Sequence, residues 1–82
     1  MDITVTLYGR YKKLAKSSQI VVHIPEEASI WHIIEAFIQK YPSVAKDKSR
    51  IMVTKNQQFA PPDASVSVED SISIAPPLVA GG

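Results

Sequence analysis

The chain has 82 residues, 45% of them hydrophobic, and nine basic against eight acidic side chains leave a net charge of +1 at pH 7. This size predicts one domain, and the apolar share suits a folded core rather than a disordered chain. The balanced charge excludes a basic field for nucleic acid or an anionic membrane, and the absence of cysteine excludes a disulfide scaffold, a thiolate metal site and a cysteine nucleophile.

In chain order, Ile3, Val5 and Leu7 alternate with Thr4, Thr6 and Tyr8, the period-two pattern of a half-buried strand. Gly9-Arg10 begins a connection that carries Lys12, Lys13 and Lys16, with Leu14 as the expected inward anchor. A second strand is predicted over 19–24, where Ile20, Val22 and Ile24 share a face until Pro25 ends the ladder for want of an N–H.

Ser29 is placed as a helix N-cap, with Glu26 and Glu27 before it favouring the positive end of the helix dipole. Ile30, Ile33, Ile34, Phe37 and Ile38 follow at helical spacing and form one broad apolar face. The helix should stop near Tyr41, because Pro42 disfavours helical geometry in the residue before it. Residues 43–50 read as a polar loop or short helical turn, and Ile51 to Thr54 as a third strand. A turn at Lys55-Asn56-Gln57 leads to a short strand at Phe59. Pro61-Pro62-Asp63 and Glu69-Asp70 mark further turns, and Ile72 and Ile74 alternate with Ser71, Ser73 and Ala75 in a final strand.

One amphipathic helix among these strands predicts a two-layer α+β domain. A helix after a hairpin, with the last strand beside the first, is the β-grasp arrangement. The expected division is a β-grasp domain over 1–75 and an extended tail over 76–82, since Pro76 cannot continue a central ladder.

Conventional catalytic motifs are missing. There is no G-x-S-x-G, P-loop or dinucleotide motif, and His23 and His32 without cysteine or clustered carboxylates predict no metal site. The basic residues Arg10, Lys12, Lys13 and Lys16 read as a solvated turn or as a contact for an acidic partner. No stretch is long and apolar enough to span a bilayer, and Met1-Asp2-Ile3-Thr4 does not open a signal peptide, so the expected location is cytoplasmic.

The chain has three glycines, and two of them are Gly81 and Gly82. At average glycine usage, both positions would be glycine in about one chain in 200. A frayed end accounts for such a pair too. Glycine also serves where backbone must pass close to another surface. A glycine tail on a proline-stiffened root can carry a carboxylate deep into a partner, where adenylation makes it an electrophile for sulfur or for an amine. That chemistry needs no side chain from this protein. Parity along the first strand turns Tyr8 away from the helix, and a parallel last strand would bring out Ala75 and Pro76 near Tyr8. With Phe59 on the same uncovered face, an apolar patch for a protein partner would surround the root of the tail.

The chain resembles the ubiquitin-like sulfur carriers, and among them the small subunits of molybdopterin synthase. The resemblance covers nearly the whole sequence. It rests on Ile3-Thr4-Val5-Thr6-Leu7-Tyr8 with Lys12-Lys13-Leu14, on Asn56-Gln57, and on Glu69-Asp70-Ser71-Ile72-Ser73-Ile74-Ala75-Pro76-Pro77 running to Gly81-Gly82. It implies that an activating enzyme related to ubiquitin E1 uses ATP to adenylate Gly82, which then becomes a thiocarboxylate. It implies too that the large synthase subunit takes up the tail and that this chain binds no cofactor of its own and is not itself the catalyst. Gly81 would supply the slim approach, and Pro76, Pro77, Leu78, Val79 and Ala80 would line the partner's entrance. Tyr8, Phe59 and Ala75 would meet the large subunit or the activating enzyme.

The sequence departs from the family pattern in three places. Glu69-Asp70 replaces a usual Gly-Asp, Ala75 stands where an aromatic is common, and the tail is one residue longer after the prolines. A carrier for thiamine, tungstopterin, cysteine or transfer RNA sulfuration, or a protein modifier, therefore remains open.

Overall fold

A computed structural model describes residues 1–77. Five strands, β1 (Asp2–Leu7), β2 (Gln19–His23), β3 (Met52–Lys55), β4 (Gln58–Phe59) and β5 (Ile72–Ala75), form one sheet in the order β2-β1-β5-β3-β4. The last strand lies at the centre, parallel to β1 and antiparallel to β3. The other pairs are antiparallel hairpins, β1 with β2 and β3 with β4.

The alternation in sequence becomes two distinct faces. Ile3, Val5 and Leu7 of β1, Ile20 and Val22 of β2, Val53 of β3 and Ile72 and Ile74 of β5 are all buried. Against them packs α2 (Ile30–Lys40), which buries Ile30, Ile33, Ile34 and Phe37. Each such side chain contributes about 1.5–3 kcal/mol on leaving water. Ile38, expected on the same stripe, is only half-buried at its edge, as is Trp31, whose ring lies 4.8 Å from the Lys48 ammonium.

Ser29 caps α2, but its partner is unusual. The backbone N–H of Ser29 donates to Nδ1 of His32 at 3.0 Å, the place a glutamate often fills in a capping box. At the other end the helix stops at Lys40, before Pro42, as expected. Pro42–Asp47 then forms a 3₁₀ helix, one of the two states expected for this stretch.

Two expectations need correction. The connection after β1 contains a helix, α1 (Gly9–Ala15), and its inward anchor is Tyr11 rather than Leu14. Leu14 is exposed, while the Tyr11 ring stacks edge-on against Phe37 at 5.0 Å. Tyr11 prevails because its hydroxyl also finds a buried acceptor. It donates to Asp47 Oδ2 at 2.7 Å, and Arg10 Nη1 donates to the same oxygen at 3.0 Å. Asp47 is 3% exposed, so this trio ties α1 to the 3₁₀ helix across the edge of the core. The Arg10 and Tyr11 donors hold the Asp47 carboxyl below the usual aspartate range, whereas burial and the Asp47 contact push the Tyr11 hydroxyl well above its ordinary value.

A second clamp closes the β3–β4 hairpin. Asn56 and Gln57 both have positive φ, 54° and 71°, as a tight two-residue hairpin turn requires. The Asn56 amide donates to Asp70 Oδ1 at 3.0 Å, and its carbonyl accepts from the Ser71 N–H at 2.9 Å. Asp70 also accepts from the Ser67 N–H, and these bonds lower its pKa, that of Ser67 most. The 60–71 loop is thereby held against the hairpin, and its Val66 completes the core.

Candidate functional site

The site is built on the uncovered face of the sheet, where β5 ends. Strand parity turns Ser73 and Ala75 away from α2, and registry carries that face across the sheet. Thr6 pairs with Ser73, Ser73 with Thr54, and Thr54 with Phe59. The Thr54 and Ser73 hydroxyls hydrogen-bond to each other. One row over, Ala75 pairs with Met52, and the Tyr8 N–H donates to the Ile74 carbonyl at 3.1 Å, extending the β1–β5 ladder by one step. Tyr8 thus comes beside Ala75, as strand parity predicts.

The result is a low floor of Thr6, Ser73, Thr54, Met52 and Ala75 between two exposed aromatics. Tyr8 is 54% exposed on one side and Phe59 is 73% exposed on the other. Large aromatics left in water beside a flat floor are the usual anchors of a protein interface. Pro76 and Pro77, half-buried, continue from Ala75 at the edge of this floor. Met52 joins the face without having been singled out in the sequence. Its signal was available in the alternation with Val53, but it lay inside an apolar run where parity is hard to assign.

The first turns of α1 border the same corner. A shallow open depression there is lined by Gly9, Arg10, Lys12, Lys13, Lys16, Ser17 and Ser18. Among the described residues the ion pairs are Met1–Glu26, Arg10–Asp47 and His23–Asp2, and Lys12, Lys13 and Lys16 are exposed with no described carboxylate within 4 Å.

Little else near the tail root carries chemistry. His23 Nδ1 is engaged with Asp2 at 2.7 Å and His32 with its cap, both away from Ala75. Among the described residues no three histidines or carboxylates gather as a metal would need, and no helix is long and apolar enough to cross a membrane. Of the residues expected at the site, the structure brings Tyr8, Ala75, Pro76 and Pro77 to one corner, and places Phe59 on the same face two strands away, on β4. Leu78, Val79, Ala80, Gly81 and Gly82 lie outside the described residues.

A mixed five-stranded sheet with one main helix across it, the first and last strands paired at its centre, defines the ubiquitin-like β-grasp class. The model of the ThiS family matches residues 5–82, and the chain belongs to that family. A molybdopterin synthase sulfur carrier subunit from Arabidopsis thaliana is 22% identical over 81 residues, covering 99% of this chain and 84% of the relative. The crystal structure of SAMP1, a small archaeal modifier protein from Haloferax volcanii, superposes with a TM-score of 0.80 at 19% identity, covering 100% of both chains. A complex of subunits 1 and 2 of the molybdopterin-converting factor from Helicobacter pylori matches with a TM-score of 0.62 at 15% identity, over 96% of this chain and 97% of the matched one.

Proposed function

We propose that this protein is a sulfur carrier whose cargo rides on the carboxylate of Gly82, and that its sulfur goes to molybdopterin. The observation that carries the reading is a Gly81-Gly82 ending on a chain of the ThiS family. The β5 strand leads directly through Pro76 and Pro77 toward that ending. The curated Arabidopsis relative, matched over almost all of this chain, supports the destination.

In this reading the domain over 1–75 is a handle and 76–82 is the reactive arm. A carboxylate is a poor acyl donor until its oxygen attacks the α-phosphorus of ATP and pyrophosphate departs. Hydrosulfide from the sulfur donor then attacks the acyl carbon, AMP leaves with the bonding electron pair, and loss of the S–H proton leaves a thiocarboxylate. An E1-like activating enzyme supplies the site for these steps, and ATP is its substrate rather than a cofactor of this chain. The large synthase subunit takes the charged arm and transfers the sulfur, so the carrier contributes no catalytic group. The pairing of subunits 1 and 2 in the Helicobacter complex supports this division of labour. The work is placed in the cytoplasm.

The Tyr8–Ala75–Phe59 face is the docking surface for the large subunit or the activating enzyme, with Pro76, Pro77, Leu78, Val79 and Ala80 at the entrance and Gly81 and Gly82 inside. The same activated carboxylate also suits a lysine amine, which would make the chain a protein modifier like the archaeal one its fold matches.

Intact mass after incubation with ATP, the cognate activating enzyme and a sulfur donor tests the reading. The full chain should gain the mass of one oxygen exchanged for sulfur, and a chain lacking Gly81 and Gly82 should gain nothing. No gain by the full chain overturns it. Higher-mass conjugates in cells, lost with Gly82, would mark a modifier instead.

A further inference from the structure

The third glycine of the chain stands at the root of the tail. Gly9 joins β1 to α1 with φ at +59°, in the left-handed region that side chains disfavour. A methyl group built on its α-carbon would lie 3.2 Å from Cγ and 3.4 Å from Cδ of Pro76. Carbon atoms pack comfortably at about 3.5–4.0 Å, so a β-carbon here would press on the Pro76 ring and require it to give by a few tenths of an ångström.

Both sides of this contact are held. Before Gly9, the Tyr8 N–H bonds the Ile74 carbonyl at 3.1 Å. After it, Arg10 and Tyr11 are tied to Asp47. On the other strand Ala75 is paired with Met52, and a residue before proline is confined to extended geometry. The ring of Pro76 fixes its own φ. Where the ring rests therefore governs the direction in which the chain departs from the sheet.

We propose that Gly9 is a positioning residue for the C-terminal arm, serving as the seat of the Pro76 ring and so aiming the arm from the docking face. The inference rests on the carrier reading given above. Six residues follow Pro76, with a fully extended reach of about 20 Å. Moving the ring at the root changes the direction in which the chain leaves the sheet after Ala75. An arm that must enter a partner's channel loses productive geometry steeply with such misplacement.

Gly9→Asn separates the seat from backbone strain, because asparagine tolerates positive φ yet carries a β-carbon. Four full-length chains are compared: wild type, Gly9→Asn, Pro76→Ala and the double variant. In the wild type, nuclear Overhauser contacts between the Gly9 α-protons and the Pro76 ring are expected, and Gly9→Asn should weaken them while shifting the amide signals of residues 77–82. With ATP, the cognate activating enzyme and a sulfur donor, Gly9→Asn should raise KM for the carrier roughly tenfold, with Tm close to wild type. In the Pro76→Ala background, which lacks the ring, the asparagine should cause no further loss. A merely structural glycine would show equal losses in both backgrounds, and that result overturns the proposal. So does wild-type charging by Gly9→Asn, or absence of the contacts in the wild type. If the wild type acquires no sulfur at all, the carrier reading fails by itself, and the contacts and amide shifts still judge the seat.

Discussion

The two faces of the sheet are made from the same strands, yet they follow opposite rules. The covered face carries Ile3, Val5, Leu7, Val53, Ile72 and Ile74, all buried under α2. The open face carries Thr6, Ser73, Thr54 and Ala75, with Tyr8 and Phe59 left in water. The first set holds the molecule together through lost water contact and close packing. The second contributes little to the core, so its aromatics are free to serve a partner. Substitutions on the two faces should therefore separate stability from binding.

The largest expected effect lies under the covered face. Phe37 is fully buried between the rings of Tyr11 and Tyr41, and Phe37→Ala should cost about 3–5 kcal/mol in urea unfolding. A domain of this length has roughly 4–12 kcal/mol in total, so this variant should be largely unfolded on warming. A loss below about 1 kcal/mol would mean that α2 does not pack as described.

Next comes the buried trio at the margin of the core. Asp47→Asn removes the charge from its bonds with Tyr11 and Arg10 and should cost about 1–3 kcal/mol. The folded pKa of Asp47 lies below its ordinary value of 3.8. Its stabilisation is therefore complete above that value and is lost as pH falls through the depressed one. Stability measured from pH 6 down to pH 2 should fall less steeply in Asp47→Asn than in the wild type, with Asp70 supplying the slope that remains.

On the open face the effect should move from folding to recognition. If the proposed docking holds, Phe59→Ala should weaken binding to a large synthase subunit about tenfold, or about 1.4 kcal/mol, while changing unfolding by less than about 0.5 kcal/mol. Isothermal titration beside a denaturation curve checks both halves. A large loss of stability with unchanged affinity would reverse the assignment of the two faces. The smallest effect belongs to neither face. His32→Ala deletes the acceptor of the Ser29 N–H at an exposed cap and should cost about 0.5 kcal/mol of thermal stability.

Strand parity carried much of this architecture. Alternation over β1, β2 and β5 assigned the right residues to each face, and the spacing of Ile30, Ile33, Ile34 and Phe37 defined α2. The same reasoning puts Tyr8 and Ala75 on the open face, while Phe59 joins them through its pairing with Thr54, which no alternation in the sequence marks. What escaped was structure with no periodic apolar signal. The seven residues of α1 bury one side chain, Tyr11, so no stripe marks the helix and Leu14 was the more apolar candidate. Asp47 sits in a polar segment, and nothing local shows that its carboxylate turns inward to meet Arg10 and Tyr11, more than thirty residues earlier. Gly9 looked like an ordinary turn residue because the ring that rests on it arrives from the far end of the chain.

The parallel pairing of β1 with β5 has a consequence for how the molecule comes into being. The first strand made has the last strand as its central neighbour, with Val5 opposite Ile72. Such a contact closes a loop of almost the whole chain and forms slowly compared with a local hairpin. A nascent polypeptide that has not reached residue 75 lacks the middle of its sheet, and β1 and β3 have nothing between them. A chain cut short of residue 75 should therefore leave its core split and open to proteolysis, whereas the same chain with β5 in place should resist it.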